Sequence, residues 1–313
     1  MYLGIEIGGT KLQLGIGDGT GEPLALLERY EVVQNRGPEG IRRQIKESGR
    51  QLLKKYDVQA IGIGFGGPVD RSRGTIIRSF QIDGWDGFAL QEWCQDMFQC
   101  RTVIDNDANT AGLGEARYGA GRGASIVFYS NIGSGIGGAL IVNGELYHGG
   151  SNLAVAEIGH LRPGPACMDR DQIVEYFSSG WGVTDMAQNK LRDPDLGDAS
   201  YQDLLMRSAG DLQNLTAKIL FEAAAENNTV AMEVVHRCIQ TYGWALGTAI
   251  TLMSPGTVVI GGGVVQAEEQ IFLAPLKEAI AQYVMPTLQG SYMIEPAQFG
   301  EEAVVQGAIA LVN

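Results

Sequence analysis

Leu3-Gly4-Ile5-Glu6-Ile7-Gly8-Gly9-Thr10-Lys11-Leu12-Gln13-Leu14-Gly15-Ile16 sets two β-rich runs on either side of a turn of small residues. Run, turn and run read as a hairpin whose backbone N–H groups stand open at its tip. The theme returns about 125 residues later: Ile126-Val127-Phe128-Tyr129-Ser130, then Asn131-Ile132-Gly133-Ser134-Gly135-Ile136-Gly137-Gly138, then Ala139-Leu140-Ile141-Val142. Repetition of a strand, glycine-turn, strand unit predicts internal duplication, hence two related α/β halves. At 313 residues the chain is long enough for both, because single hydrophobic cores stop growing at roughly 250–300 residues.

Working outward, residues 39–56 carry Ile41, Ile45, Leu52 and Leu53 among charges and predict an amphipathic helix, followed by a buried strand over 58–64. A further strand, Thr102-Val103-Ile104, runs into Asp105-Asn106-Asp107-Ala108-Asn109, and 110–118 reads as helix, so Asp107 stands where a strand hands over to a helix. Residues 171–253 are mostly helical by periodicity, with a loop at 192–199 rich in Asp, Pro and Gly. Thr257-Val258-Val259-Ile260 then enters Gly261-Gly262-Gly263, and 271–283 is helical.

With 36 acidic against 23 basic residues and a formal charge of -13, the chain disfavours nucleic acid and anionic membranes as partners. Cys94, Cys100, Cys167 and Cys238 are scattered without repeated spacing, which fits a reducing compartment better than a disulfide framework. No run approaches the roughly 20 apolar residues of a membrane span, and the first residues lack a leader pattern. The expectation is an unprocessed cytoplasmic protein.

Turns of small residues leave backbone N–H groups free to bind phosphate oxygens without side-chain charge. Two such turns facing one another would grip a nucleotide's phosphates, with Thr10 and Ser134 adding hydroxyls and Lys11 a cation. The dinucleotide pattern matches by count at Gly62-x-Gly64-x-x-Gly67 and Gly133-x-Gly135-x-x-Gly138, which a chain with 44 glycines produces easily. Neither match opens a helix at its third glycine, so nicotinamide binding is disfavoured, and no Gly-Lys-Ser/Thr closes a Walker loop.

Six segments, in order, resemble the ROK (repressor, open reading frame, kinase) group of bacterial sugar kinases. Glu6-Ile7-Gly8-Gly9-Thr10-Lys11 is similar to its first phosphate loop, and Ile63-Gly64-Phe65-Gly66-Gly67-Pro68-Val69-Asp70 to its Gly-Pro-Val-Asp segment. Asn106-Asp107-Ala108-Asn109 resembles the catalytic motif, Ile132-Gly133-Ser134-Gly135-Ile136-Gly137 the second phosphate loop, Glu157-Ile158-Gly159-His160 the sugar-site motif, and Val259-Ile260-Gly261-Gly262-Gly263 the adenosine-side loop. The resemblance implies two actin-like (ribonuclease H-like) α/β domains flanking an active-site cleft. The first would cover 1–107, completed by a C-terminal helix at about 301–313, and the second 108–300. It implies a homodimer, no DNA-reading module, and ATP-dependent phosphorylation of a hexose, glucose before others. Another sugar acceptor, polyphosphate as donor, or a non-catalytic sugar-binding regulator are the alternatives.

By that resemblance Asp107 is the catalytic base, and a helix N-terminus would hold it as a carboxylate at neutral pH. Gly67, Gln81, Asn106, Asp107, Glu157, His160 and Glu175 would contact the sugar. Gly8, Gly9, Thr10, Lys11, Gly133, Ser134, Gly135, Gly262 and Gly263 would hold ATP, and Glu6 would meet Mg²⁺ through water. His148 and His236 read as structural. Glu6 stands where most members have Asp. Gln81 replaces the usual Asn, and Ala156 the usual Gly, which predicts less room for an N-acetyl group. The family's zinc-binding cysteine knuckle is reduced to Cys167 in Pro165-Ala166-Cys167-Met168-Asp169, so no structural zinc is expected, and Ile173 and Val174 would pack in its stead.

Overall fold

A computed structural model of the chain describes residues 1–150, 155–164, 167, 169–192, 198–266 and 271–313. In chain order the first half holds β1 (Tyr2–Ile7), β2 (Lys11–Gly17), β3 (Leu26–Glu31), α1 (Gly37–Lys55), β4 (Ala60–Phe65), the short β5 (Val69–Asp70) and β6 (Thr75–Ile76), α2 (Leu90–Phe98) and β7 (Arg101–Asn106). After α3 (Asp107–Arg117) come β8 (Ile126–Ile132), β9 (Ile136–Val142), β10 (Glu145–Leu146), α4 (Val174–Ser178), α5 (Gly180–Lys190), α6 (Asp198–Arg207), α7 (Ala217–Ala225), α8 (Thr229–Met253), β11 (Thr257–Gly261), α9 (Leu273–Tyr283), β12 (Met293–Pro296) and α10 (Ala303–Ala310).

The two sheets have one topology. The first runs β3-β2-β1-β4-β7 and the second β10-β9-β8-β11-β12. In each, the first three strands are antiparallel and the last three parallel. The duplication expected from the repeated glycine turns is therefore present in strand order and direction. Strands at the centre are buried on both faces, which explains why Leu3-Gly4-Ile5 and Val258-Val259-Ile260 read as continuous apolar or small runs.

One face of the first sheet carries α1 and α2, whose Ile41, Ile45, Leu52, Leu90, Cys94 and Phe98 join Ile5, Ile63 and Ile104 in a core. The second sheet packs on α8 and its neighbours through Phe128, Ile260, Tyr242 and Leu246. Helices α3 and α10 lie between the sheets, where Ala111, Leu113, Ala303 and Ala310 meet Tyr129, Ile141 and Val259. Close approach explains two glycines: a Cβ on Gly62 of β4 would come within 1.7 Å of the Ala308 carbonyl oxygen, and one on Gly307 within 1.7 Å of the Thr110 carbonyl oxygen. Backbone thus lies against backbone there, which no larger residue permits.

Several expectations need correction in detail. The hairpin is extended by β3, whose Leu26–Glu31 pairs with β2 but is mostly exposed on one side, so its apolar alternation is weak. Helix α3 begins at Asp107 rather than near Thr110, because the Asn106 side chain caps it. The strand placed at 58–64 is Ala60–Phe65, and the helix placed at 271–283 starts at Leu273. Within the loop expected at 192–199, residues 193–197 lie outside the described residues. All four cysteines are free. Among the described residues, no helix is long and apolar enough to cross a membrane.

Candidate functional site

Where β7 ends, the Asn106 side chain turns inward as an N-cap: its Oδ1 accepts from the Ala108 N–H at 2.8 Å and the Asn109 N–H at 3.2 Å. An N-cap of this kind is worth about 1 kcal/mol of helix stability, and it also fixes where the next side chain, Asp107, emerges. The Asn106 Nδ2 donates to the Gly67 carbonyl at 3.2 Å, tying the catalytic motif to the Gly-Pro-Val-Asp segment. One Nδ2 hydrogen is left for a ligand, so Asn106 combines a structural duty with its expected sugar contact.

The Asp107 Oδ1 accepts from the Ala108 N–H at 2.8 Å, and Oδ2 lies 3.5 Å from the position a Gly66 Cβ would take, beside Gly8. Burial pushes the Asp107 carboxyl up to about 6; the Ala108 N–H opposes that and the charge of Glu157 adds to it. The helix start alone therefore does not set its ionisation, because lost hydration outweighs the favourable backbone dipoles. A value near 6 still leaves Asp107 mostly ionised at neutral pH and close to the optimum for taking up a proton.

At the first glycine turn, the Gly8 N–H donates to the Lys11 carbonyl at 2.9 Å and closes the hairpin. Beneath it lies a charged network. The Lys11 Nζ is 3.2 Å from Glu6 Oε1 and 2.7 Å from Glu301 Oε2. Gln13 donates to both Glu6 and the Glu301 carbonyl, and Arg29 Nε donates to Gln13 Oε1 at 2.8 Å. Glu6 is only 6% exposed. Burial raises its pKa, Lys11 and Gln13 oppose this, and Asp107 adds to it. Burial pulls the Lys11 ammonium down, but Glu6 and Glu301 outweigh it and the net shift is upward. Lys11 thus braces Glu6 as well as standing beside the expected phosphate turn.

The opposite side of the site comes from the second half. A 3-10 turn at Ile158–His160 presents Glu157 and His160. Glu157 is raised by lost hydration, with His160 opposing and Glu175 adding to it. Glu157 thus acts on Asp107 and feels His160 and Glu175, so it links the two sides of the site. Glu175 has a further job: its Oε2 accepts from the Ile136 N–H at 2.8 Å, just past the second glycine turn. A Cβ on Gly135 would meet that same oxygen at 2.7 Å. In the turn itself, the Gly133 N–H donates to the Gly135 carbonyl, and the Gly180 N–H at the start of α5 donates to the Gly133 carbonyl.

Beside this turn opens a cavity of about 630 Å³, lined by Gly133, Ser134 and Gly263 together with Thr216, Phe221 and Ile271. Gly262 is held at φ +97 with its Cα against the Ile132 backbone, so it shapes the loop while Gly263 faces the cavity. The α7 residues on this wall were not legible as site residues, since helical periodicity announces α7 but not which cavity it borders. Thr216 did carry a signal, as the N-cap whose side chain accepts from the Ile219 N–H.

Two sequence readings take a different geometry. The Gln81 amide lies directly against Gly9, within 1.8 Å of where a Cβ would stand, so it contacts the first glycine turn. Ala156 packs its methyl against the core of the second half and adopts φ +60. Of the reduced knuckle, Pro165, Ala166 and Met168 lie outside the described residues. The Cys167 thiol donates to the Gln172 carbonyl at 3.0 Å, and Val174 is fully buried in the core of the second half, with Ile173 beside it and half-buried.

Comparison with known proteins finds relatives along nearly the whole chain. A glucokinase of Thermotoga maritima is 28% identical over 315 residues, covering 99% of this chain and 96% of that protein. The crystal structure of a ROK family glucokinase from Streptomyces griseus in complex with glucose and AMPPNP superposes with a TM-score of 0.82 at 27% identity, covering 99% and 98% of the two chains. The ROK hexokinase from Thermus thermophilus gives 0.80 at 26% identity, covering 99% and 96%. These neighbours share the actin-like ATPase architecture of two sheets of one topology. Since the model of the ROK family also matches residues 2–313 without interruption, this chain belongs to the ROK family.

Proposed function

We propose that this sugar kinase transfers the γ-phosphoryl group of ATP to a hexose hydroxyl, glucose before other sugars. The observation that carries the reading is Asp107, set between the first glycine turn and the Glu157–His160–Glu175 wall with a carboxyl near neutrality. Phosphoryl transfer asks a protein mainly for positioning and charge neutralisation, with a base to receive the hydroxyl proton. Asp107 would take that proton as the sugar oxygen bonds to the γ-phosphorus and the bond to the ADP oxygen breaks. Asn106, Glu157, His160 and Glu175 would orient the ring, and Gly67 would hold Asn106 in place.

The N–H groups of Gly9, Thr10, Ser134 and Gly135, left over once those of Gly8 and Gly133 close their turns, would take the phosphates. The cavity beside Gly263, with Phe221 and Ile271 in its wall, fits a nucleoside and supports ATP over polyphosphate as donor. Glu6 fits a water-mediated contact with Mg²⁺: it is a buried carboxylate with raised pKa beside the phosphate turn, and Mg²⁺ is usually held by one or two carboxylates plus phosphates. Bound there, the ion would neutralise charge on the phosphate oxygens. Glucose is favoured by the glucokinase relatives and by the several hydrogen-bonding groups in the cleft, since a site built for hydroxyls rejects analogues lacking them. The absence of structural zinc and the family's homodimer belong to the same proposal, and are read by elemental analysis and light scattering.

The test is a coupled ADP-release assay with Mg-ATP over glucose, mannose, fructose, N-acetylglucosamine and N-acetylmannosamine, repeated with polyphosphate by following sugar phosphate. Glucose should give the highest kcat/KM. An N-acetylhexosamine ahead by tenfold, about 1.4 kcal/mol of transition-state preference, would replace glucose as acceptor. No turnover with any sugar would sink the kinase reading.

A further inference from the structure

Two residues before the base, Asp105 is 3% exposed, and its two carboxylate oxygens live differently. Oδ1 accepts from the Asn106 N–H at 2.8 Å and from Asn109 Nδ2 at 2.9 Å. It therefore straps the end of β7 to the first turn of α3, across the very residues that carry Asn106 and Asp107. Oδ2 is the single buried side-chain oxygen or nitrogen among the described residues that finds no hydrogen-bond partner.

That oxygen is not alone, however. Arg71 Nε, from the turn between β5 and β6, stands 3.5 Å away, and His148 Nε2, from the segment after β10, stands 3.7 Å away. Arg71 and His148 also touch each other, through Arg71 Nη1 and His148 Nε2. Arg71 belongs to the first half and His148 to the second. Sequence reading leaves Arg71 unmentioned and takes His148 as structural; the fold brings both to the back of the catalytic motif. A buried carboxylate oxygen that has a guanidinium 3.5 Å away and no hydrogen bond of its own is costly unless something uses it.

We propose that Asp105 is a positioning residue for the Asn106–Asp107 pair, with Arg71 of the first half bracing its second oxygen and His148 of the second half, whose Nε2 accepts from Arg71 Nη1, holding that guanidinium in place. Oδ1 sets the direction of the helix start; the charge on Oδ2 holds Arg71, and through it His148, behind it. Displacing this brace shifts Asp107 relative to the sugar hydroxyl, and a misplacement of about 1 Å costs on the order of 10²-fold in rate. The inference rests on the kinase reading, because its readout is turnover by the full chain.

Asp105→Asn isolates the role of Oδ2: the amide oxygen still accepts from Asn106 and Asn109, while an NH₂ faces Arg71 and His148. The expected result is a kcat for glucose lowered at least about tenfold, a KM within about threefold of wild type, and a melting temperature equal or higher, since a buried carboxylate oxygen without a hydrogen bond is gone and the guanidinium it leaves, 41% exposed, keeps its water. Arg71→Met should lower both kcat and the melting temperature, by stranding Asp105. The double variant Asp105→Asn, Arg71→Met should regain the melting temperature yet remain as slow as the slower single variant. Wild-type turnover in a stable Asp105→Asn protein overturns the proposal and leaves the kinase reading standing. Turnover lost only in parallel with folding, or additive losses in the double variant, overturns it too. A wild-type protein without any sugar-dependent ADP release overturns the kinase reading first and this one with it.

Discussion

The turn joining Ile7 to Lys11 and the turn joining Ile132 to Ile136 occupy the same place in two sheets of the same order, yet their surroundings differ in kind. Under the first lie Glu6, Lys11, Gln13, Arg29 and Glu301, a chain of charges in contact with one another. Behind the second, Glu175 accepts from a backbone N–H, and a cavity opens that is bordered by Phe221 and Ile271, with its charged residues, Lys218 and Glu222, paired to each other. One hairpin occurs twice; side chains set a charged network beside the first and open a cavity beside the second, which the proposed function gives to the nucleoside. Asp107 sits at the seam, on the helix between the two sheets, which is why its carboxyl feels Glu157 of the second half and adds to the upward shift of Glu6 in the first.

Four measurements break or sharpen that contrast. The largest effect is expected at the seam: Asp107→Asn keeps the shape and removes the proton acceptor, so kcat should fall by roughly 10²- to 10⁴-fold with sugar and ATP affinity little changed. Near-normal turnover would remove the base from the scheme. Next comes pH. As the proposed base, Asp107 would work only unprotonated, and its carboxyl is raised to about 6. The kcat/KM for glucose should therefore be flat above about pH 7 and fall near tenfold per unit below about pH 6. A profile flat down to pH 5 would show an unperturbed carboxyl, and so a wetter seam than the fold indicates.

The second turn has its own probe. Nothing stands within 4 Å of where a Cβ on Gly133 would project, so Gly133→Ala should melt as the wild type does. If that turn receives phosphates, the methyl crowds them, and KM for ATP should rise by about tenfold, near 1.4 kcal/mol, with the KM for glucose unaltered. An unchanged ATP KM would assign the phosphates to the charged turn alone. The smallest effect concerns Ala156, held at φ +60 one residue before Glu157. Ala156→Gly relieves the left-handed strain but frees the unfolded chain, leaving a net gain of about 1 kcal/mol or less. Thermal melting would read this as a rise of a few degrees at most, and a fall would mean that the methyl's packing outweighs the strain.

How far the site was legible varies residue by residue. Gly8–Lys11, Asn106–Asp107 and Gly133–Gly135 announce themselves, because a phosphate turn needs a contiguous run of small residues and a helix start needs its cap next in sequence. Glu175 is visible as a carboxylate of the cleft, but its bond to Ile136 N–H spans 39 positions and has no local signature. Gln81 shows the same limit: its identity is plain in the sequence, its contact with Gly9 is not. The ionisation of Asp107 could be guessed from the helix start only with the opposing half missing, since lost hydration depends on what lies on top.

The sequence by itself determined the repeated hairpins, the α/β class and the order of the motifs, all of which rest on local periodicity and turn chemistry. Only the tertiary structure decided that the two sheets share a strand order, that α3 and α10 fill the space between them, and that Glu301 reaches back 290 positions to Lys11. It alone set Arg71 and His148 behind Asp105. The physical reason is one of range. Capping, turns and hydrophobic period act between near neighbours in the chain, whereas burial, charge coupling and close backbone packing depend on which distant segments the fold presses together.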